Sequence, residues 1–297
     1  IVFDDVAIVH NSVSGDGAGV FLQNDNSDIM LTNCRVEGNI AAGFGGGAIH
    51  CSVGNTDMAI YRCLFDSNAA TFGGGIYFGD YHKFISLAQV VLRRNSGEYG
   101  GAVYITQFNS DLVFVNSTFL ANVASADGGG LHLLSEDITL IRCDVFNNEA
   151  LRGGGVYSKA ETITIKACNI SGNRGHTLYA GSGGALGIID CVDASVRGTL
   201  FVDNGAQLLD GGALFCQSSH LNMSSCTFER NIAGVNGGAV YIVESDSVRV
   251  TNSMFNGNSA VTGGGSGVWI STSLTATIVA NIFENNTALS GGGTVYW

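Results

Sequence analysis

A two-part phrase recurs along almost the whole chain, and it restricts the fold to a stack of short repeated coils. The first part is a large apolar residue followed three positions later by Asn, as in Phe228-Glu229-Arg230-Asn231. These Asn residues are Asn11, Asn39, Asn68, Asn95, Asn122, Asn148, Asn173, Asn204, Asn231, Asn258 and Asn286, separated by 25 to 31 residues. The second part is Gly-Gly-(Ala or Gly)-aliphatic-aromatic, as in Gly100-Gly101-Ala102-Val103-Tyr104 and Gly237-Gly238-Ala239-Val240-Tyr241. Ten and eight residues before Asn stands a third register of apolar pairs, including Ile29/Leu31, Ile85/Leu87, Leu112/Phe114 and Val248/Val250.

Apolar residues two apart lie on one face of a strand. The 3.6-residue spacing of a helix is absent. Each period therefore holds several short strands joined by turns rich in Gly, Asn, Asp and Ser. A leucine-rich repeat would show its Leu-x-x-Leu-x-Leu phrase, and a propeller blade needs about 40 residues. The pattern predicts an all-β, right-handed parallel β-helix of about eleven coils with ~27 residues per coil, forming a single solenoid domain over residues 1–297. Equivalent strands one coil apart pair at ~4.8 Å, so eleven coils make a rod of roughly 50 Å. The Gly pairs supply positive φ and close backbone approach. The Asn column from Asn39 to Asn286 is expected to bond along the stack as a structural ladder. The chain has no Pro, a residue that would remove a donor from any paired strand.

The paired phrases Phe-x-x-Asn and Gly-Gly-Ala-(Ile/Leu/Val) resemble the repeats of chlamydial polymorphic membrane proteins, and Phe228 to Asn231 followed by Gly237 to Val240 carries the likeness clearly. It covers nearly the whole chain. It implies a surface-exposed adhesin passenger, although no translocator barrel or signal peptide accompanies the repeats. It transfers no catalytic residue, because fold follows from such a repeat more safely than function.

The charge balance narrows the partners. Net charge is −12, with three Lys (Lys83, Lys159, Lys166). Nucleic acid and anionic membrane surfaces both need clustered cations, so neither is an expected partner. No run of about 18 apolar residues is present, so no membrane span is expected in this segment. Ile1 opens the chain without a targeting leader, as in a mature or excerpted chain.

Four groups of residues are candidates for function. In each Gly-Gly strand the aromatic has apolar neighbours on both sides. Alternation then turns the neighbours inward and stacks Phe21, His50, Tyr77, Tyr104, His132, Tyr157, Phe215, Tyr241, Trp269 and Tyr296 along one outer face. An open aromatic row of that length is an expected interaction surface for another protein chain or a surface glycan. Cys34, Cys63, Cys143 and Cys168 each stand five residues before a repeat Asn, as does Cys226. They form either disulfides between adjacent coils or a ladder of reduced thiols. In-register parallel neighbours aim poorly for a bridge, which favours the ladder. No Cys-x-x-Cys occurs and no metal site or cofactor is expected. Asn116, Asn169, Asn222 and Asn285 begin glycosylation triplets, about as many as chance supplies in a chain this rich in Asn and Ser.

Catalysis has the weakest support. Acid/base chemistry on polysaccharides needs two groups with separated proton affinities. Here Asp28, Asp57, Asp111, Asp137 and Asp193 share one coil position, as solvated turn residues would. The stretch Gly79-Asp80-Tyr81-His82-Lys83 and the insertion carrying His176 and Tyr179 are the best places for an unexpected pocket. Both chain ends fall on repeat boundaries, which suggests a segment of a longer chain or end-to-end stacking into a filament. The expected function is therefore a non-catalytic structural or adhesive surface outside the cell. A carbohydrate-active β-helix enzyme, either a lyase or a hydrolase, is the alternative.

Overall fold

The computed structural model describes residues 1–176, 183–208, 210–290 and 292–297. It is all-β, and among the described residues every regular element is a strand. One coil runs through Ser110–Val115, Thr118–Leu120, Val123–Ala124 and Leu131–Leu133. Each strand pairs in parallel with its equivalent in the coils above and below. Three sheets of eleven strands and a column of two-residue strands result. The predicted parallel β-helix, with its period and coil number, is what the chain forms.

Along each longer strand, buried and outward residues alternate, as the period of two requires. The interior is one continuous apolar cluster reaching from Val20 to Ile270. Phe201, Phe228, Phe255 and Phe283 stack inside it with ring centroids 4.7, 4.8 and 4.7 Å apart. Within this cluster a side chain packs against the same position one coil away, so the core is a set of columns.

The two glycines of the repeated pair do different work. Gly128 has φ +67°, a left-handed turn that L side chains resist. Gly129 follows with ordinary φ, but a Cβ there would lie 2.3 Å from the Gly154 carbonyl oxygen. The first glycine turns the chain and the second lets adjacent coils touch.

The three corners of a coil share another device. A single left-handed residue is followed by a small polar residue that turns inward. The pairs Asn116-Ser117, Ala121-Asn122 and Phe108-Asn109 are examples, with φ of 48°, 52° and 59° at their first members. Each inward residue accepts or donates hydrogen bonds to neighbouring coils. This satisfies backbone groups that the sharp bend removes from the sheets.

Candidate interaction surface

The Asn column shows how the repeat spacing works. Asn122 donates its backbone N–H and its Nδ2 to Asn148 Oδ1 at 2.9 and 3.0 Å. The second Nδ2 hydrogen goes to the Leu92 carbonyl of the preceding coil at 3.0 Å. Asn122 Oδ1 in turn accepts both Asn95 N–H and Asn95 Nδ2 at 3.0 Å. Leu92 stands three residues before Asn95, which is the apolar-x-x-Asn spacing. Ten side chains, Asn39, Asn68, Asn95, Asn122, Asn148, Asn173, Asn204, Asn231, Asn258 and Asn286, form this chain, and Asn11 joins its start.

Five of the eight cysteines, Cys34, Cys63, Cys143, Cys168 and Cys226, occupy a second column. Cys34 N–H points to Cys63 Sγ and Cys143 N–H to Cys168 Sγ, both at 3.4 Å. All eight thiols are free and buried. In other coils the same place is taken by Ser117, Thr199 and Ser253, whose hydroxyls accept the equivalent N–H. Burial pushes the thiols of Cys63, Cys191 and Cys226 up to about 11. Val90 fills one level without an acceptor, so the column asks for a small side chain at each level and bridges nothing.

A third column corrects an expectation. His82 lies fully buried at a corner. Its Nδ1 accepts the Asn55 N–H at 2.9 Å, and Nε2 faces the Cys51 carbonyl at 3.3 Å. That pattern fits a neutral ring protonated on Nε2. Asn55, His82 and Asn109 are successive members of this column. The stretch from Gly79 to Lys83 is therefore a strand end and a corner. His176 lies at the surface between Glu149 and Gln207, at 3.0 and 3.1 Å. Tyr179 lies outside the described residues. Asp28, Asp57 and Asp111 hold left-handed, solvated turns.

The aromatic row stacks as spaced, but it is not the open stripe expected. Phe21, His50, Tyr77 and Tyr104 follow one another at 4.8, 4.7 and 5.8 Å with nearly parallel planes. His132 and Tyr157 continue at 4.9 and 5.0 Å. Gly187 then takes the strand position between Tyr157 and Phe215. Phe215, Tyr241, Trp269 and Tyr296 form the second run. Only the terminal rings are well exposed, Phe21 at 49% and Tyr296 at 37%. His50, His132, Tyr157 and Phe215 are buried.

In the first run, the turns before three of the Gly pairs fold over the row. Phe72 and Tyr99 lie 5.1 and 6.4 Å from Tyr104, and Tyr99 meets His132 edge-on at 5.4 Å. The Arg152 guanidinium sits 4.9 Å from the centre of the Tyr157 ring, fixed by Asp127 through bonds of 2.7 and 2.6 Å. Stacking along the axis also spends ring faces on neighbouring rings. Even the uncovered part of this row offers mostly edges. Burial raises the Tyr104 and Tyr157 hydroxyls to about 12.

The histidines of this face carry a pH dependence. Burial lowers His132 to about 4 from an ordinary 6.5, and burial also lowers His50 and His82. A histidine kept neutral when folded takes up its proton on unfolding. Stability is then fully present above pH 6.5 and falls as pH drops toward 4. His132 alone contributes roughly 3 kcal/mol to that fall. Denaturant melts between pH 7.5 and 4 should show it, and His132→Gln should flatten the slope.

The glycosylation triplets are split by the fold. Asn116, Asn169 and Asn285 are exposed, whereas Asn222 is half-buried within the strand His220–Ser224. Among the described residues, no group of three or more His, Cys, Asp or Glu could hold a metal ion. No helix among them is long and apolar enough to cross a membrane.

A family model described as "Right handed beta helix region" matches residues 101–297. A metabotropic glutamate receptor-like protein R of Dictyostelium discoideum is 27% identical over 142 residues, 48% of this chain and 8% of that protein. A probable autotransporter, YfaL, of Escherichia coli strain K12 is 27% identical over 144 residues, 41% of this chain and 11% of that protein. The chain thus spans about a tenth of the length of the curated relatives it matches.

Proposed function

Because the chain belongs to the right-handed β-helix region family, we propose that it is a non-catalytic surface element outside the cell, structural or adhesive, whose partners are protein chains or surface glycans. The observation that carries this reading is how uniformly the interior is used. The Asn column ties its members coil to coil, and the second and third columns fill their corners with small side chains, most of them acceptors, or with His82. Positions shared by many coils are poor places for an active site. Coil-to-coil differences lie in the outward residues and the turns. Likeness to a probable autotransporter and to a receptor-like protein supports a surface location. The finer resemblance to chlamydial polymorphic membrane protein repeats belongs to the same proposal.

Beads coated with the purified chain should be retained on cell monolayers under flow in a saturable way, and free chain should compete. Retention equal to that of albumin-coated beads across several cell types would contradict an adhesive role.

A further inference from the structure

We propose that a cleft on one corner of the rod, between Phe108 and Glu161, binds a pyranose unit of a glycan; this deepens the surface reading and rests on it.

The cleft arises from a change in corner length. Val103 and Leu112 stand nine residues apart, whereas their partners Leu131 and Ile138 stand seven apart, as do Val156 and Ile163 one coil further. Two successive corners are thus two residues shorter than the one carrying Gln107 and Phe108. The longer corner overhangs a recess of about 280 Å3 lined by Gln107, Phe108, Leu134, Ser135, Glu136, Lys159 and Glu161.

Phe108 stands at one of the left-handed corner positions that recur along the rod. It is 49% exposed, yet its φ is +59°, a conformation that bulky side chains resist. Tyr81 stacks on it at 5.3 Å with planes 9° apart, and its φ is +64°. Other corners fill this left-handed position with Asp25, Gly54, Asp190, Ser218, Glu244 or Thr272. Asn109 locks the overhang, its Nδ2 donating to the Thr106 and Gln107 carbonyls at 2.8 and 3.2 Å. One face of Phe108 is taken by Tyr81. In this it resembles the terminal rings of the long row, because it ends a stack and borders an open space.

The polar side of the recess suits hydroxyl groups. Among the described residues, the carboxylates of Glu136 and Glu161 take no hydrogen bond or ion pair, and Lys159 is 3.4 Å from Asp190. A pyranose presents a C–H face that packs on an aromatic ring. Its rim of hydroxyls donates to carboxylates and an amide, and such charge-assisted bonds are the strong ones. The recess matches that combination of one apolar platform and several convergent polar groups.

Saturation-transfer NMR with methyl glycosides of glucose, galactose, mannose and N-acetylglucosamine tests the assignment on the whole chain. At least one glycoside should bind. Phe108→Asn, which suits the left-handed backbone, should weaken it about three- to tenfold, the effect of one lost ring contact. Glu161→Gln should also weaken it. Three results would overturn the assignment: none of the glycosides binds, binding survives Phe108→Asn, or a tetra-arginine peptide occupies the recess in preference. If coated beads adhere to cells while no glycoside binds, the cleft fails and the surface role stands.

Discussion

Replacing Gly129 by Ala should destabilise the protein by at least about 4 kcal/mol, the range reached only when a core or backbone contact is forced apart. The added Cβ would lie 2.3 Å from the Gly154 carbonyl oxygen, 2.5 Å from the Glu149 carbonyl oxygen and 2.6 Å from the Glu149 nitrogen. All three are backbone atoms of the next coil, so no side chain can swing away. Relief requires the two coils to separate, which breaks parallel pairing on either side. Gly205 provides the contrast. It lies in the two-residue strand Gly205–Ala206, and a Cβ there would meet nothing nearer than Arg174 Nη1 at 3.6 Å. Gly205→Ala should change stability by less than about 0.5 kcal/mol. Urea melts of the two variants separate the cases, and equal melts would show that the coils do not pack as described.

Asn122→Ala should cost about 4 kcal/mol. It strands Asn95 N–H and one hydrogen of Asn95 Nδ2, both inside the rod, and removes one of the two bonds that the Leu92 carbonyl accepts. Each buried polar group left alone costs about 1–3 kcal/mol, and a small cavity adds to this. Asn122→Asp should be equally damaging, because a carboxylate cannot donate to Leu92. Asn24 is exposed, and Asn24→Ala should stay within about 0.5 kcal/mol of the parent. Chemical denaturation of all three variants checks the ranking.

What could be read from the residues alone was what repeats. The inward registers, the Gly pairs and the Asn column recur at fixed offsets, and a parallel stack turns fixed offsets into columns. What could not be read lies outside the phrase. Phe72, Tyr99 and Arg152 cover the aromatic row from turns of variable sequence, so the row looked open when each strand was considered alone. The Cys column was half visible. Its members share small size, and most share acceptor chemistry, rather than identity, with Ser117, Thr199, Ser253 and the apolar Val90 standing in for Cys. The left-handed corners were hidden because they are filled by residues as different as Arg62, Ala121 and Phe108 instead of Gly. The shortened corners did leave a trace in the close spacing of Asn122, Asn148 and Asn173. A gap in sequence does not say which turn lost the residues, and strand register was needed to locate the recess beside Phe108.

The most direct measurement of a non-catalytic surface follows binding and turnover on the same material. Immobilised cell-surface glycans and a panel of polysaccharides are incubated with the chain, and retained protein and released sugar ends are counted together. A binding surface predicts retained protein with no release above the buffer level over many hours. Steady release of sugar ends, lost on changing His176 or Asp80, would contradict it and make the chain a carbohydrate-active enzyme.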